Sequence, residues 1–331
     1  MQVPSLPLEP LDVPSVQTIE GAHLSPWELG QLRTIGRPNR YLRGAVYDGS
    51  GRLVESSQKF AVPGHPWVAA DPSNLRLGGR MREHAGTWLY GGHWIQHFGH
   101  FLVETLTTLW PDVPGLDGLV FHKYLRGTTE PEPWMRRLLD LAGFADLPVS
   151  IVGARRAAHV ERLVVPSRAV VANGWGHPQA AEVWRRIAAP FAPTRSPSAR
   201  IYLSRTRFNQ ARRADDPGRD RSTPERDRAL DALFARAGFD VVAPELLSID
   251  DQIRCMAGAR IVAGSSGSAL HLTALAPPGT AVLEIGDSRS PHRPVPMQLI
   301  IDHLLEHPHQ FLPATDDLDA VERAVSRLPG G

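Results

Sequence analysis

The chain has 331 residues, enough for two domains, and 42% hydrophobic with 21% charged residues is the composition of a packed globular protein. A formal net charge of +1 argues against a dedicated nucleic-acid-binding protein, which carries a strong basic excess. The single cysteine, Cys255, excludes an intramolecular disulfide and favours a reducing compartment. No apolar run approaches the ~20 residues of a membrane-spanning helix, and the N-terminus lacks a signal-peptide pattern, so we expect a cytoplasmic protein.

The first half of the chain predicts strands and helices in rough alternation, which favours an α/β domain. A helix is predicted from about Gly91 to Pro111, and the segments that follow it are a strand "GLVFHK", a helix "EPWMRRLLDLAGF" and strands "VSIVG" and "RLVVPS". The composition then shifts to proline, serine and threonine over residues 192–198, which is typical of a linker. We therefore expect one domain over residues 1–190 and a second over residues 198–331.

Histidines recur in "GGHWIQHFGHFLVE", where helical spacing would place His93, His97, His100 and Glu104 on one stripe. Three interpretations stay open. The spacing suits metal ligands, although Trp94 stands where a zinc protease has its glutamate. The same four side chains would equally suit a row of polar residues within an ordinary hydrophobic core. The stripe also suits acid–base chemistry, because His100 and Glu104 are one turn apart and either could take a proton.

The second half reads as β-α-β-α-β-α-β with short connections, which predicts a parallel, doubly wound sheet. The strands are "ARIYLSR", "FDVVAP", "RIVAG" and "TAVLEIG", and the helices are residues 224–237, "SIDDQIRCMAGA" and "SALHLTALA". A polar, charged loop is predicted between the first strand and Thr223. A final helix, "DDLDAVERAVSRL", ends the chain, and the sequence leaves open whether it packs back on the first domain.

Ligands of such a sheet bind beyond the carboxyl ends of its strands, and three candidates lie there. One is a loop of small residues before a helix, which suits a phosphate cradle as well as a plain turn. Its residues are Gly264, Ser265, Ser266, Gly267 and Ser268. Arg205 is either a diphosphate clamp or a surface arginine. Glu284 either accepts a hydrogen bond from a ribose hydroxyl or lies on the rim of the sheet.

Several of these segments resemble glycosyltransferase family 61 when they are taken in order. They are "HFLVE", "IYLSR", "AGFDVVAPELLSIDDQI" and "ARIVAGSSGSALHLTALAPPGTAVLEIG", and the resemblance covers roughly Gly91 to Gly286. The resemblance implies a GT-B fold, in which two Rossmann-like domains face a cleft. It also implies an inverting transfer from a nucleotide sugar, usually a UDP-sugar, with no metal and no cofactor beyond that co-substrate.

Residue by residue, His100 and Glu104 match the family's His-aromatic-Leu-x-Glu motif, and Ser204 and Arg205 match its Ser-Arg. The loop motif is matched by Gly264, Gly267, Ala269 and Leu270. Two positions depart from the family. Ser266 stands where the family has histidine in the loop, and His97 stands where it has asparagine.

The resemblance thus predicts a bacterial enzyme of polysaccharide biosynthesis. His100 and Glu104 would be catalytic, His97 and Ser204 would touch the acceptor or support the site, and the donor would bind the loop, Arg205 and Glu284. The expected partners are a nucleotide-sugar donor and a glycan, lipid-linked or small-molecule acceptor, with peripheral membrane contact and a homo-oligomer left open. Two alternatives remain, a metal-dependent hydrolase built on the histidine stripe and an inactive nucleotide- or glycan-binding protein, which Ser266 motivates.

Overall fold

The structure is a computed structural model that describes residues 13–26, 28–34, 37–62, 65–66, 81–124, 128–193, 199–215 and 222–328. Of these, residues 28–34, 37–43, 60–62, 65–66 and 213–215 are described by their backbone alone. The described chain divides into two compact units between Val183 and Trp184. Most of the predicted linker, residues 194–198, lies outside the described residues.

The N-terminal unit is built around one large sheet, with smaller two-stranded sheets and short helices. Its strands are β1 (Val16–Leu24), β2 (Glu28–Thr34), β3 (Arg37–Arg43), β4 (Val46–Tyr47), β5 (Phe60–Val62), β6 (His65–Pro66), β7 (Arg82–Trp94), β8 (Gly118–Lys123), β9 (Val149–Val152), β10 (Ala158–Pro166), β11 (Val170–Val171) and β12 (Trp175–Gly176). Its helices are α1 (Phe98–His100), α2 (Pro133–Leu139) and α3 (Pro178–Ala188), the last of which crosses the division between the units.

The large sheet has the strand order β4-β1-β10-β7-β8-β9. Strands β10, β7, β8 and β9 are parallel, and β1 joins them antiparallel at the β10 side. The parallel strands lie side by side in the order β9-β8-β7-β10. Counted along the chain, these strands are the third, second, first and fourth, which is the order of half a Rossmann sheet. That order reverses at β7, so the carboxyl ends of β7 and β10 are where a ligand crevice is expected.

Strand β7 contains residues that the sequence assigned to a helix. The strand continues through His93 to Trp94, and α1 begins only at Phe98 after an extended N-cap residue, His97. The predicted stripe of four side chains on one helix is therefore wrong. Helical spacing cannot by itself distinguish one helix from a strand end followed by a helix start, and pairing with β8 decides in favour of the strand.

The C-terminal unit contains a five-stranded sheet of the order β14-β13-β15-β16-β17, all parallel. Its elements are β13 (Ala199–Leu203), α4 (Thr206–Asp215), α5 (Pro224–Arg236), β14 (Asp240–Val242), α6 (Ile249–Ala257), β15 (Ala259–Ser265), β16 (Ala281–Ile285), α7 (Pro296–Leu304), β17 (His309–Leu312) and α8 (Leu318–Val325). This is the 2-1-3-4-5 order of flavodoxin-like sheets, whose switch point lies between β13 and β15. The α/β prediction with a parallel sheet is confirmed.

The core of this unit lies between the sheet and two helices. Phe234 of α5 is fully buried and stacks on Tyr202 of β13 at 4.0 Å between ring centroids. Val321 of α8 belongs to the same cluster, so the last helix packs against the core of its own unit. Alternate strand residues such as Val262 and Val282 are fully buried as well, which means that the sheet is covered on both faces.

Two local predictions need correction in this unit. The charged segment after β13 is not a plain loop, because α4 occupies residues 206–215 before the chain reaches residues 216–221, which are not described. The helix expected at "SALHLTALA" is a short 3₁₀ helix, Leu270–Leu275, that follows a series of turns. In both places tertiary packing overrides a weak local preference.

We predict that Phe234→Ala lowers the free energy of unfolding by about 3–5 kcal/mol, because it leaves a cavity under Tyr202. Equilibrium urea denaturation of the full chain measures the loss. Leu246→Ala is the control, since that side chain is 70% exposed and its removal should change stability by less than about 0.5 kcal/mol. Equal effects of the two substitutions would contradict the assignment of Phe234 to the core.

Candidate active site

A helical run of mixed type follows β7 at the carboxyl edge of the N-terminal sheet. α1 continues as a π-helical turn, Phe101–Thr105, and then as a 3₁₀ turn, Leu106–Leu109. The apolar residues of these two turns are fully buried, and their threonine hydroxyls donate to main-chain carbonyls, as Thr108 does to Glu104 at 2.9 Å. Single π-turns occur frequently at functional sites.

Glu104 lies in the π-turn and is only 7% exposed, yet it is partnered at both carboxylate oxygens. Oε1 forms an ion pair with Nζ of Lys59, and Oε2 contacts Nδ1 of His100. Lys59 is also buried, at 9% side-chain exposure, whereas the His100 side chain is 40% exposed. The three side chains therefore form a line from the protein interior to an accessible imidazole.

The charge on Glu104 follows from these contacts. Burial alone would raise the pKa of this carboxyl group, but the Lys59 ammonium and the hydrogen bond from His100 outweigh burial and hold the pKa at about 2. Burial lowers the pKa of Lys59, and the attraction of Glu104 opposes that change. Glu104 is therefore ionised at neutral pH and acts only as a hydrogen-bond acceptor.

A second cation, Arg168, is partly buried and follows the end of β10. Its guanidinium donates to Thr108 Oγ1 at 2.9 Å and to Nδ1 of His93 at 3.2 Å, and it reaches the carbonyls of Ser57 and Gln58 at 3.4 Å each. Arg168 thereby ties the segment that carries the buried lysine to the helical run and to β7. Gly92 has φ +77°, and a side chain there would overlap the guanidinium.

His93 is buried and contacts Arg168 in this cluster. Its pKa lies well below the ordinary value, first because of burial and then because of the neighbouring Arg168. An arginine has no acceptor, so Nδ1 of His93 accepts and the proton of the neutral ring lies on Nε2. That nitrogen is buried and has no hydrogen-bond partner among the described residues.

The histidines thus separate into different environments. His93 is buried on β7, His97 caps α1, and His100 lies on the helix with its ring 5.2 Å from that of His97. The metal-dependent hydrolase required three imidazoles on one helical stripe, and that premise is contradicted. In the part of the chain that the structure describes, no group of three His, Cys, Asp or Glu side chains is arranged to hold a metal ion.

In the C-terminal unit, Ser204 and Arg205 directly follow β13 at the switch point of the sheet. Ser204 is buried, and its hydroxyl accepts from the backbone N–H of Thr206 at 3.2 Å. Arg205 is partly exposed and lies over the ring of Phe208 at 4.1 Å. Burial lowers the pKa of Arg205; the Glu245 carboxylate opposes this shift, and the Arg289 guanidinium adds to it.

The glycine-serine loop lies beside them, at the end of β15. Gly264 and Ser265 are still within the strand and pair with β16, so the loop begins at Ser266. The backbone N–H of Ser266 donates to the carbonyl of Ile285 at 2.8 Å, and Gly267 has φ +132°. No long helix starts after Ser268, so the helix dipole that the cradle prediction invoked is not present in this segment.

Glu284 is fully buried behind this loop. Its carboxylate accepts from Ser266 Oγ at 2.7 Å and from the backbone N–H of Val295 at 3.1 Å, and Nε2 of His309 lies 3.2 Å away. Burial would lower the pKa of His309, but the carboxylates of Glu284 and Asp302 outweigh burial and raise it. These partners are internal, and the ribose contact of Glu284 stays a prediction.

A cavity of about 490 Å³ opens at the same edge of the sheet, at the ends of β16 and β17. Gly286 and Asp287 line it on one side and Thr315 on another, with Arg226 of α5 between them. The Arg226 guanidinium donates to the carbonyl of Thr315 at 2.7 Å and 3.0 Å. The cavity is large enough for part of a drug-sized ligand.

Residues 98–283 match the family model described as Glycosyltransferase 61, and the match covers more than half of the chain. The chain belongs to glycosyltransferase family 61. It is therefore a glycosyltransferase, and the predicted resemblance is confirmed. No curated protein matches the chain.

The family match contains His100, Glu104 and Arg205 but ends at residue 283, and it begins after Lys59. A glycosyltransferase acts on a donor sugar and a glycan acceptor, and the roles of individual residues in this chain stay predictions. Within the described residues, no helix combines the length and apolar character needed to cross a membrane.

Sequence reasoning missed Lys59 and Arg168. Nothing in "ESSQKF" distinguishes Lys59 from a surface lysine, because its partner lies 45 residues away. Arg168 could have been found, since "RLVVPSR" places an arginine just after a predicted strand, which is the pattern that selected Arg205.

We predict that the glycosyltransferase loses stability in acid partly through Glu104. Its pKa is depressed in the folded state, so its contribution is complete above the unfolded pKa of about 4.3 and is lost as pH falls toward 2. The loss should be on the order of 3 kcal/mol.

Urea denaturation at pH 5 and pH 3 measures about half of this loss, because pH 3 still lies above the folded-state pKa. Glu104→Gln should reduce the difference in unfolding free energy between the two pH values, whereas Glu130→Gln, at an exposed position, should leave it unchanged. An undiminished pH dependence in Glu104→Gln would show that the ion pair does not carry it.

Proposed function

We propose that this family 61 member is an inverting, metal-independent glycosyltransferase that moves a sugar from a nucleotide sugar to a hydroxyl group of a glycan or glycoconjugate. The observation that carries the proposal is the accessible imidazole of His100 against ionised Glu104. A direct displacement at the anomeric carbon requires one general base, and this pair supplies it.

The reaction balances with His100 as that base. The acceptor hydroxyl transfers its proton to His100 as its oxygen attacks the anomeric carbon. The bond between that carbon and the diphosphate breaks, and the leaving nucleoside diphosphate keeps the electron pair. Glu104 stabilises the imidazolium that forms, because its negatively charged carboxylate contacts Nδ1 of that ring. Attack opposite the leaving group inverts the anomeric configuration.

The leaving diphosphate needs positive charge, and we assign that role to Arg205. Its position after β13, at the switch point of the sheet, supports the assignment. Gly267 and Ser268 would lie closest to the phosphates. The 490 Å³ cavity at the ends of β16 and β17 would take the nucleoside.

In this proposal the two units are the two domains of a GT-B enzyme, and the donor is a UDP-sugar, as the resemblance implies. The nucleotide sugar is a co-substrate, and no further cofactor is invoked. The single cysteine, Cys255, suits a cytoplasmic location. The acceptor is a glycan or a lipid-linked or small-molecule precursor of a bacterial surface polysaccharide.

One observation favours a second candidate, a nucleotide- or glycan-binding protein without turnover. Ser266, which replaces the family's loop histidine, donates its hydroxyl to buried Glu284 instead of presenting a free group. Such a protein would bind donor but release no nucleoside diphosphate with any acceptor or with water.

We predict that UDP, the nucleoside diphosphate of the proposed donor, raises the melting temperature of the wild type and that Arg205→Ala abolishes the shift. A ligand at about 100 times its dissociation constant stabilises the native state by about 2.7 kcal/mol. Thermal unfolding with UDP, GDP, CDP and dTDP, with and without EDTA, measures the shift. Arg207→Ala is the matched control, because Arg207 is exposed and two residues away.

A shift retained in Arg205→Ala would contradict the assigned diphosphate site. No shift with any nucleotide would contradict the proposed donor class, and a shift abolished by EDTA would contradict metal independence.

We predict that His100→Gln lowers kcat by about 10²–10⁴ with little change in the dissociation constant of the donor nucleotide, because it removes only the proton acceptor. Release of nucleoside diphosphate measures turnover, and NMR of the product gives its anomeric configuration. His292→Gln, at an exposed histidine of the C-terminal unit, is the control. Retention of configuration, or full activity in His100→Gln, would overturn the mechanism.

A further inference from the structure

The contacts around Glu104 determine more than its own charge. Each carboxylate oxygen has one charged or titratable partner, Lys59 on Oε1 and His100 on Oε2, so the state of one side affects the other. We propose that Lys59 is a positioning residue. By keeping Glu104 ionised it fixes His100 in the tautomer with the proton on Nδ1 and a free lone pair on Nε2.

The argument rests on hydrogen-bond chemistry. An ionised carboxylate carries no proton, so a contact between Oε2 and Nδ1 of a neutral imidazole requires that Nδ1 carry the hydrogen. The lone pair is then on Nε2, the nitrogen that Glu104 does not contact. A protonated carboxyl could instead donate to Nδ1, which would place the ring hydrogen on Nε2 and leave the imidazole unable to accept a proton there.

Burial pushes Glu104 toward the protonated form, and a cation is needed to oppose it. Lys59 is the cation in direct contact with the carboxylate. The other groups that face the cluster do not replace it. Arg168 is committed to Thr108, to His93 and to main-chain carbonyls, and His93 is held neutral by burial.

The position of Lys59 is itself fixed by tertiary contacts. Arg168 holds the carbonyls of the two preceding residues, Ser57 and Gln58, and Nζ lies 5.9 Å from the ring centroid of Tyr124. At the exposed end of the row formed by Lys59, Glu104 and His100, the ring of His97 contacts that of His100 edge to face. The ammonium therefore reaches Glu104 from a segment outside the region that matches the family model.

The tautomer assignment rests on the ion pair of Glu104 with Lys59 and on its contact with Nδ1 of His100, and its catalytic meaning rests on the proposed function. A base that takes the proton of an acceptor hydroxyl must present a lone pair, and the Nδ1–H tautomer presents one on Nε2. Lys59 would then touch neither donor nor acceptor and would act only through Glu104.

Long-range ¹H–¹⁵N NMR of the full chain labelled at histidine nitrogens tests the proposal, because it distinguishes a protonated ring nitrogen from an unprotonated one. The His100 signals are identified by their loss in His100→Gln. In the wild type we expect the hydrogen on Nδ1. Lys59→Met should shift His100 to the Nε2–H form or to a mixture, and Lys59→Arg should restore the wild-type pattern.

Arg155→Met is the control, because it removes an exposed cation from the same unit and should leave the His100 signals unchanged. An Nδ1–H tautomer that persists in folded Lys59→Met would overturn the proposal. So would a wild type with its hydrogen on Nε2, and that spectrum decides even where Lys59→Met does not fold.

This measurement needs no substrate, so its outcome is separate from that of the proposed function. A wrong tautomer in an active, inverting enzyme would refute the role of Lys59 and the role of His100 as the base, but not the transfer reaction itself. An absence of turnover with the expected tautomer would refute only the transferase mechanism.

Discussion

A carboxylate removed from water must be given charge and hydrogen bonds in return, and the N-terminal unit is organised around that constraint at Glu104. Lys59 supplies the charge and His100 supplies the hydrogen bond. Arg168 holds the backbone beside the lysine, and Thr108 links that arginine to the helical run. Removing Lys59 would leave the buried Glu104 carboxylate without its ion-pair partner, which typically costs about 3–5 kcal/mol.

The topology of the two sheets explains where the chemistry lies. In each unit the parallel strands change their order at one point, at β7 in the N-terminal sheet and between β13 and β15 in the C-terminal sheet. The connections that follow the two strands at such a switch point leave in opposite directions, and a crevice opens there at the carboxyl edge of the sheet. Arg168 and the helical run lie at the first point, and Arg205 lies at the second.

The two carboxylates of the predicted site differ in access, which separates their roles. Glu104 is buried but contacts an imidazole that is 40% exposed, so its charge can influence a reacting group. Glu284 is fully buried, and its partners are Ser266, His309 and a backbone N–H. In this structure Glu284 contacts the glycine-serine loop from the interior, while Arg205 is partly exposed at that edge.

The sequence by itself determined the α/β class, the parallel C-terminal sheet and the pairing of His100 with Glu104, because these follow from local periodicity and from an i, i+4 spacing. It could not determine that His93 ends a strand, since strand pairing is a contact with distant residues. Lys59 and Arg168 join the site only through the fold, because partners 45 or 60 residues apart leave no local pattern. The tertiary structure decided the charge of Glu104 for the same reason: burial and a remote ammonium fix it, and neither is a property of the neighbouring sequence.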